Sequence, residues 1–380
     1  MRIHSTPPRF APPKVQLPHD EGSHPEAKTE WWYLNGHLED DQGRHYGIMH
    51  ALFDMPDAIH GRYNINLPFM PGATALDTGL TRESEGLHSQ STRLHPIAPG
   101  YSHPGLTEGE LDQSFTDNNG VWRMKRFDSR TIQVSGPTGD GSVDLTLTEK
   151  KPPLMMGGEG EIKMGPKGLS KYVTYPSLEV DGTLTVDGEE RHVRGQAWID
   201  HQWGDMQLYN GYEGWDWFGI QLNNDTQINA FRFRDTQGGN AHATVGISRP
   251  DASQAVSEDL KLEAGKTWTS PHTGATYPLQ WHLVVPDQGI DLAVEPTLED
   301  QEMVGMPPYS HPELALIPTY WEGGVHVHGT VRGEAVDGRG YMELVGYPGD
   351  RIMAKEPTAE TLELARRLAR EAAAETTTPV

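Results

Sequence analysis

The sequence predicts an all-β protein made of short antiparallel strands. Glycine (42 residues) and proline (29 residues) are abundant, and this composition favours many turns over long helices. Apolar and polar residues alternate in several runs, which is the period of a strand with one buried face. At 380 residues the chain has room for two or three domains, each with its own core.

Strands and turns can be assigned in chain order from this alternation. The clearest strand segments are 30–38, 143–147, 178–186, 320–329 and 339–347. Turn signals connect them, and the dipeptide Asp-Gly between alternating runs is typical of hairpins. These expected turns are Asp41-Gln42-Gly43, Asp187-Gly188 and Asp337-Gly338.

Two further segments depart from this pattern. Residues 63–120 are rich in Gly, Pro, Ser and Asp, so we expect long loops there and a lid over a barrel mouth. Residues Thr358–Ala374 form the one long helix that the sequence predicts. Acidic residues lie early in this segment and arginines lie late, as the helix dipole prefers.

Composition excludes several classes of function. The formal net charge of −23 argues against nucleic acid and anionic membranes as partners. The chain contains no cysteine, so disulfides, thiolate metal sites and cysteine nucleophiles are excluded. No stretch is apolar enough for stable membrane insertion. The N-terminal residues lack a signal peptide's apolar segment, so we expect a cytoplasmic location, or a periplasmic one if a leader precedes them.

The segments 198–204 and 214–219 carry the most informative cluster of side chains. Four tryptophans, two carboxylates and a histidine lie within about twenty residues, a mixture that predicts a lined cavity. Strand alternation places Asp216 on one face with Phe218 and Ile220. An acid on an apolar face has a raised pKa unless it is paired, so Asp216 is a candidate general acid or, alternatively, a structural aspartate.

The preceding strand divides its polar residues between two faces. Trp198, Asp200 and Gln202 share one face, whereas His201 and Trp203 lie on the other. Either Asp200 or His201 should therefore point inward, and histidine is the natural proton carrier near neutral pH.

Three glutamates occupy similar positions on their strands: Glu30, Glu322 and Glu343. They form either an inward-facing set of acids or structural ion pairs with arginines, of which Arg232, Arg234 and Arg339 are candidates. We take the ion-pair interpretation as the default, because buried acids are usually paired.

Metal, nucleotide and serine-hydrolase sites are poorly supported. His326 and His328 share a strand face at a spacing that suits zinc, but no further ligand follows from spacing, and we predict no metal site. The glycines of 157–160 lack the Lys-Ser/Thr ending of a phosphate-binding loop, and no G-x-S-x-G motif is present.

A known family shares these motifs. Residues 24–38 (HPEAKTEWWYLNGHL) resemble the opening motif of the lipocalin-like carotenoid 1,2-hydratase and AttH-like family. Further motifs follow in the family's order: 151–153, 157–160, 198–203, 214–218, 320–323 and 340–347. The resemblance covers about residues 19–348.

The resemblance implies two lipocalin-like β-barrel domains that enclose an apolar ligand site. We expect an irregular arm over 1–20, barrel domains over 21–203 and 204–350, and a helix and tail over 351–380. Hydratases of this family add water to a terminal isoprenoid double bond without a cofactor, and fungal relatives form decalins by Diels–Alder cyclisation. Their essential residues surround the segment that matches Asp200, His201, Trp203, Tyr212, Trp215 and Asp216. Gln202 departs from the acid found in many members, which leaves the acid–base assignment open.

We therefore predict a cofactor-independent enzyme that hydrates or cyclises a hydrophobic isoprenoid or polyene. The alternatives are a pericyclase that works by shape, and a non-catalytic carrier of a lipophilic ligand. The predicted catalytic residues are Asp216, Asp200, His201 and Glu30. The predicted ligand-binding residues are Trp32, Trp203, Tyr212, Trp215, Trp217, Phe218, Tyr320 and Glu322. The expected partner is a hydrophobic small molecule, and the sequence leaves the oligomeric state open.

Overall fold

The computed structural model confirms the all-β prediction. It describes residues 15–55, 72–97, 105–164, 168–205, 212–235, 237, 239–304, 319–347 and 363. Nearly all regular structure in these ranges is antiparallel β, arranged in two large curled sheets. The helical segments with described bounds are single 3₁₀ turns at His19–Glu21, Glu83–Glu85, Met156–Gly158 and Pro286–Gln288. Among the described residues, no helix has the length and apolarity to cross a membrane.

The first sheet is built from residues 29–205. Its strands are β1 (Thr29–Asp40), β2 (His45–Met55), β3 (Gly72–Arg82), β4 (Leu87–Ile97), β5 (Asp112–Asp117), β6 (Gly120–Arg126), β7 (Thr131–Thr138), β8 (Gly141–Glu149), β9 (Leu154–Met155), β10 (Glu161–Lys163), β11 (Leu169–Val186) and β12 (Glu189–Asp205). The strand order is β4-β3-β2-β1-β12-β11-β8-β7-β6-β5, and β9 and β10 pair with β11. The sheet curls back on itself, since the Thr138 hydroxyl donates to the Gly79 carbonyl of β3 at 3.1 Å.

The second sheet is built from residues 212–345. Its strands are β13 (Tyr212–Leu222), β14 (Gln227–Asp235), β15 (Asn240–Ser248), β16 (Gln254–Ser257), β17 (Lys261–Ala264), β20 (Trp281–Val285), β21 (Ile290–Pro296), β22 (Glu302–Met303), β23 (Tyr320–Val331) and β24 (Glu334–Val345). The order is β16-β15-β14-β13-β24-β23-β21-β20-β17, with β22 on β23. A separate hairpin joins β18 (Thr267–Thr269) and β19 (Thr276–Pro278).

The buried apolar side chains form three clusters, one inside each sheet and one between the sheets. Successive side chains of a strand point to opposite faces, so each sheet buries its concave face within itself and its other face against the neighbouring sheet. The first-sheet core includes Trp32, Leu34, Leu52, Phe115 and Trp122, among others. The second-sheet core includes Phe218, Ile220, Trp281, Trp321 and Leu344, among others.

The third cluster, called the inter-sheet cluster below, draws side chains from both sheets. It contains Tyr33, Met49, Ala51, Met55, Ala73, Ala75, Leu154, Met156, Ile162, Met164, Tyr172, Trp198, Trp217, Phe231, Phe233, Met303, Tyr320, Tyr341 and Val345. Fully burying one large apolar side chain contributes about 1.5–3 kcal/mol, so a cluster of this size firmly docks the two sheets.

Two of the predicted turns are confirmed, and one is wrong. Asp187-Gly188 joins β11 to β12, and the loop that contains Asp41 joins β1 to β2. The predicted turn at Asp337-Gly338 instead lies inside β24. The chain reverses at Arg332-Gly333, where both residues have the left-handed φ values of 53° and 84° that such a turn requires.

The expected long loops over residues 63–120 are also wrong for the described part of that range. Strands β3, β4 and β5 occupy most of it. Small residues suit these strands where contacts are close: a Cβ at Gly79 would lie 3.3 Å from Cε1 of His88 and 3.6 Å from the sulfur of Met303 in the second sheet. The predicted helix at Thr358–Ala374 lies outside the described residues, apart from Glu363, which is helical.

Gly346 reverses strand alternation at the end of β24. Val345 packs in the inter-sheet cluster, so plain alternation would place Tyr347 there too. Gly346 has a φ of 88°, and Tyr347 packs instead against the second-sheet core, where its ring centroid lies 5.7 Å from that of Tyr277.

This geometry predicts that Gly346→Ala destabilises the protein. The new Cβ would lie 2.0 Å from the Glu213 carbonyl oxygen, and the left-handed backbone alone costs about 1–2 kcal/mol for a residue with a Cβ. Gly333→Ala is the matched control, because Gly333 has a φ of 84° and no atom within 4 Å of the added Cβ. Urea unfolding should show a clearly larger loss for Gly346→Ala, and equal losses would contradict this account.

Candidate active site

Strand alternation divides the predicted site residues among three places. The inter-sheet cluster and its margin receive Asp200, Tyr212, Trp215, Trp217, Tyr320 and Glu322. The first-sheet core receives Glu30, Trp32, His201 and Trp203. The second-sheet core receives Asp216 and Phe218. The structure therefore does not bring all the candidates together in one site.

Four carboxyl groups converge on the inter-sheet cluster, and we call them the carboxyl cluster. Asp77 lies on β3, Asp200 on β12, Glu322 on β23 and Glu343 on β24. Glu322 and Glu343 are direct partners in the antiparallel register of β23 and β24. The carboxyl cluster therefore contains a facing pair of glutamates.

Burial favours the protonated form of these carboxyl groups. It raises the pKa of Asp77 to about 6, that of Asp200 to about 7 and that of Glu343 to about 8. Burial, and then the charge of Glu343, raises the pKa of Glu322 well above its usual range. Two acids that face each other in a dry site cannot easily both ionise, so the Glu322–Glu343 pair retains a proton near neutral pH.

Asp200 is held by three donors. The Tyr172 and Thr174 hydroxyls each donate to its carboxylate at 2.6 Å, and the Trp198 indole donates at 2.9 Å. The Tyr172 hydroxyl in turn accepts hydrogen bonds from Trp217 at 3.0 Å and Asn229 at 2.9 Å, both in the second sheet. This network uses Asp200 mainly as an acceptor that joins the two sheets.

Glu322 and Glu343 accept fewer hydrogen bonds than Asp200 does. The Tyr33 hydroxyl donates to Oε1 of Glu322 at 2.6 Å, whereas Oε2 is buried and has no partner among the described residues. The Trp215 indole donates to Oε1 of Glu343 at 3.0 Å, and this glutamate is only half-buried. An unengaged oxygen in an apolar site is what a proton donor to a nonpolar substrate needs.

Aromatic rings surround this pair. The Trp217 ring lies edge-on to Tyr33 at 5.3 Å and to Trp198 at 6.1 Å between centroids. At the margin of the cluster several apolar side chains are only half-buried. These are Trp31, Phe53, Leu94, Tyr212 and Trp215. Aromatic faces can stabilise a developing cation.

A second polar group, the His–Glu–His triad, lies in the first-sheet core. Oε1 of Glu30 lies 2.7 Å from both Nδ1 of His24 and Nε2 of His201. Trp203 stacks on His24 at 4.1 Å, and Trp32 stacks on His201 at 4.8 Å. Although burial opposes it, the hydrogen bonds from His201 and His24 lower the pKa of Glu30.

The triad is also the group of described residues that could hold a metal ion, because its ligand atoms lie within 4.8 Å of one another. Direct contacts of 2.7 Å are hydrogen bonds, however, and the second oxygen of Glu30 already accepts the His24 backbone N–H at 2.8 Å. These hydrogen bonds hold the triad together in the structure. His326 and His328, whose spacing alone would suit zinc, are both exposed.

Asp216 lies on the face that alternation predicts, and it is fully buried. Nε of Arg232 donates to it at 2.6 Å, Arg234 forms a second ion pair, and the Tyr347 hydroxyl donates at 2.9 Å. This is the arrangement of a buried ion-pair network. The expected pairing of arginines with the three glutamates is wrong, because Arg232 and Arg234 bind Asp216 and Arg339 binds Glu83 at 2.6 Å.

Sequence reasoning missed several residues of the site. Tyr33 could have been found, since it alternates with Trp32 and must therefore point to the opposite sheet face. Asp77 was hidden in a segment interpreted as loop. His24 precedes β1, and no strand period applies to it.

Comparison with known proteins identifies the family of this chain. The sequence pattern of the AttH-like family matches residues 8–347. The chain belongs to this family. A dehydratase, asqC of Emericella nidulans, is 24% identical over 255 residues, which cover 64% of this chain and 70% of that protein.

Two further comparisons extend this result. Kievitone hydratase of Fusarium solani subsp. phaseoli is 26% identical over 222 residues, which cover 53% of this chain and only 56% of the hydratase. A crystal structure described as AttH, from Nitrosomonas europaea, is 24% identical and has a TM-score of 0.75. It covers 90% of this chain and 100% of that one, so the two proteins share a fold.

Replacing Asp216 tests its structural role. Asp216→Asn leaves two buried guanidinium groups without their counter-charge and should cost about 3–5 kcal/mol of unfolding free energy. Asp181→Asn is the control, because its pair with Arg194 is exposed and should contribute less than about 1 kcal/mol. Wild-type stability of Asp216→Asn together with lost turnover would instead favour the predicted role as a proton donor.

The raised pKa of Glu343 predicts a pH-dependent stability. The folded-state pKa of Glu343, about 8, exceeds its ordinary value of 4.5. Its contribution to the free energy of unfolding is therefore full below about pH 4.5 and is lost as the pH rises through about 8. Compared with the wild type, Glu343→Gln should gain several degrees in Tm between pH 5 and pH 9. Glu190→Gln, at an exposed position, should show no such gain. A constant Tm difference across this range would disprove the shift.

Proposed function

We propose that this AttH-like protein adds water to, or eliminates water from, a hydrophobic small molecule at the carboxyl cluster, without a cofactor. The observation that carries this proposal is the facing pair of Glu322 and Glu343 within an aromatic, largely dry cluster. Acid–base chemistry on an unactivated carbon skeleton needs a carboxylic acid that stays protonated and a nearby carboxylate that can accept a proton. The dehydratase and hydratase among the relatives support the same reaction class.

In the hydration direction, the protonated carboxyl of the pair donates its proton to one alkene carbon. The π electrons form the new C–H bond, and the positive charge develops on the other alkene carbon. The rings of Trp217 and Tyr33 stabilise that cation. The oxygen of a water molecule then forms the C–O bond, and the facing carboxylate accepts the released proton.

The same residues serve dehydration in reverse. The protonated carboxyl delivers its proton to the leaving hydroxyl, and the facing carboxylate removes a proton from the adjacent carbon. Each cycle leaves one proton on the pair, so no other proton donor is consumed. Tyr33 positions Glu322 through a hydrogen bond of 2.6 Å, and Trp215 positions Glu343.

The composition of the cluster supports an isoprenoid or polyene as substrate. Most of its side chains are aromatic rings or methionines, and the methionines, including Met49, Met55 and Met303, adapt to irregular apolar shapes. A pericyclase needs mainly this shape. Burying two unpaired acids is costly, and a catalyst that works by shape alone would not need them.

The test is turnover of acyclic terpenes and conjugated polyenes in heavy water, followed by mass spectrometry. Hydration places solvent deuterium on carbon, whereas a pericyclic closure does not. Products cyclised without deuterium would overturn the proposal in favour of a pericyclase, and ligands recovered unchanged would favour a carrier.

Glu322→Gln and Glu343→Gln should each lower kcat/KM by about 10²–10⁴-fold, because amides cannot donate or accept the proton. Wild-type kcat/KM should rise as the pH approaches about 8, because Glu343 then loses its proton and becomes the acceptor, and it should fall at higher pH when Glu322 also ionises. Glu190→Gln should retain full activity, since this glutamate is exposed. Full turnover by both amide variants would exclude the glutamate pair as the acid and base.

A further inference from the structure

Arg93 is a buried guanidinium with an open hydrogen-bonding edge. It lies on β4 with 8% of its surface exposed, and its guanidinium carbon lies 5.8 Å from the centre of the Phe115 ring in the first-sheet core. Among the described residues, the carboxylate that it contacts is Asp117, which lies 3.4 Å from Nη1. Nε and Nη2, which form the opposite edge, have no hydrogen-bond partner among the described residues.

Other buried arginines of the described chain have carboxylate partners for their N–H groups. Arg232 and Arg234 both donate to Asp216 with short contacts. Buried guanidinium groups are normally paired in this way, since leaving their N–H groups without an acceptor is costly. Nε and Nη2 of Arg93 therefore need a hydrogen-bond acceptor that the described residues do not supply.

His50 adds a third donor to the same core. The Trp122 indole donates to Nδ1 of His50 at 3.0 Å, which makes Nδ1 an acceptor and leaves the ring proton on Nε2. Nε2 is buried and has no partner among the described residues. Burial, and then the charge of Arg93, lowers the pKa of His50 to about 3, so the ring stays neutral at physiological pH.

The unengaged atoms of Arg93 and His50 are thus all N–H donors. Nε and Nη2 of a guanidinium form a planar fork that matches the two oxygens of one carboxylate. A single positive charge, shared in part with Asp117, balances a monoanion better than a phosphate dianion. The neighbouring rings are apolar: Phe115 lies beside Arg93, and Trp122 lies beside His50 in the same core.

We infer that the first-sheet core contains a binding site for the carboxylate of an apolar monoanion, such as a fatty acid, with Arg93 and His50 as its donors. Arg93 forms the two-point contact, and Nε2 of His50 donates a further hydrogen bond. The apolar tail packs among the neighbouring core side chains. This site is distinct from the carboxyl cluster, which lies on the other face of the same sheet, and it does not depend on the proposed reaction.

Calorimetric titration of the full-length protein with dodecanoate, dodecanol and dodecyl phosphate tests this site. Dodecanoate should bind at least about tenfold more tightly than the uncharged alcohol and more tightly than the phosphate, because a charge-assisted fork contact is strong. Equal affinities for acid and alcohol, or no binding of dodecanoate, would overturn the inference. Tighter binding of dodecyl phosphate would overturn the assignment to a carboxylate.

Variants locate the site. Arg93→Gln should remove the preference for dodecanoate over dodecanol, and Arg93→Lys should retain only part of it, since an ammonium group lacks the fork. Arg123→Gln is the control: this arginine is 47% exposed and pairs with Asp112 at 2.7 Å, and the variant should bind as the wild type does. An unchanged preference in Arg93→Gln would place any bound acid elsewhere and refute the site.

If Arg93→Gln does not fold, the Lys variant and the three wild-type titrations still decide the question. An Arg93→Lys variant with undiminished preference, or a wild type without preference, overturns the inference. These readouts measure binding alone. A failure here therefore leaves the proposed hydration chemistry untouched, and inactivity towards alkenes leaves this site untouched.

Discussion

The contact between the two sheets is the constraint on which the rest of the structure depends. Its polar centre is the chain of hydrogen bonds from Trp217 and Asn229 to Tyr172, and from Tyr172 to Asp200. The apolar side chains around it dock the sheets, but apolar contacts alone are non-directional. The hydrogen bonds fix the register of docking, because buried donors and acceptors tolerate few alternative partners.

The same contact explains why the buried acids differ in their ion-pair partners. Asp216 lies inside the second sheet, beside two arginines from the neighbouring strand, and is held in an ion-pair network. Glu322 and Glu343 lie between the sheets, where no such ion pair reaches them in the described chain. Carboxyl groups that look alike in the sequence therefore acquire different partners, depending on the side of the strand on which they lie.

The fold class and the division of faces could be predicted from the sequence. Alternation correctly separated Asp200 from His201, and it placed Asp216 with Phe218. It could not tell which faces belong to a sheet's own core and which to the neighbouring sheet, because both are apolar. The interface therefore could not be recognised as the common location of Glu322 and Glu343.

Other errors have local causes. Asp337-Gly338 has the composition of a turn, but Gly338 is needed inside β24, where a Cβ would lie 2.4 Å from the Gln221 carbonyl oxygen. Strand β3 was not predicted because its residues are small, and small residues are also typical of loops. In the structure, the close contact between the sheets requires such small residues. The pairing of Asp216 depends on arginines 16 and 18 residues away, and only the register of β13 and β14 brings them together.

The hydrogen bond from Tyr33 to Glu322 joins residues 289 positions apart, one from each sheet. The hydroxyl that orients this acid and the acid itself therefore meet only when the sheets are docked. Any opening between the sheets would admit water and return the glutamates to their ordinary acidity. The proton affinity of these glutamates is thus coupled to the docking of the two sheets, so protonation and docking are linked equilibria.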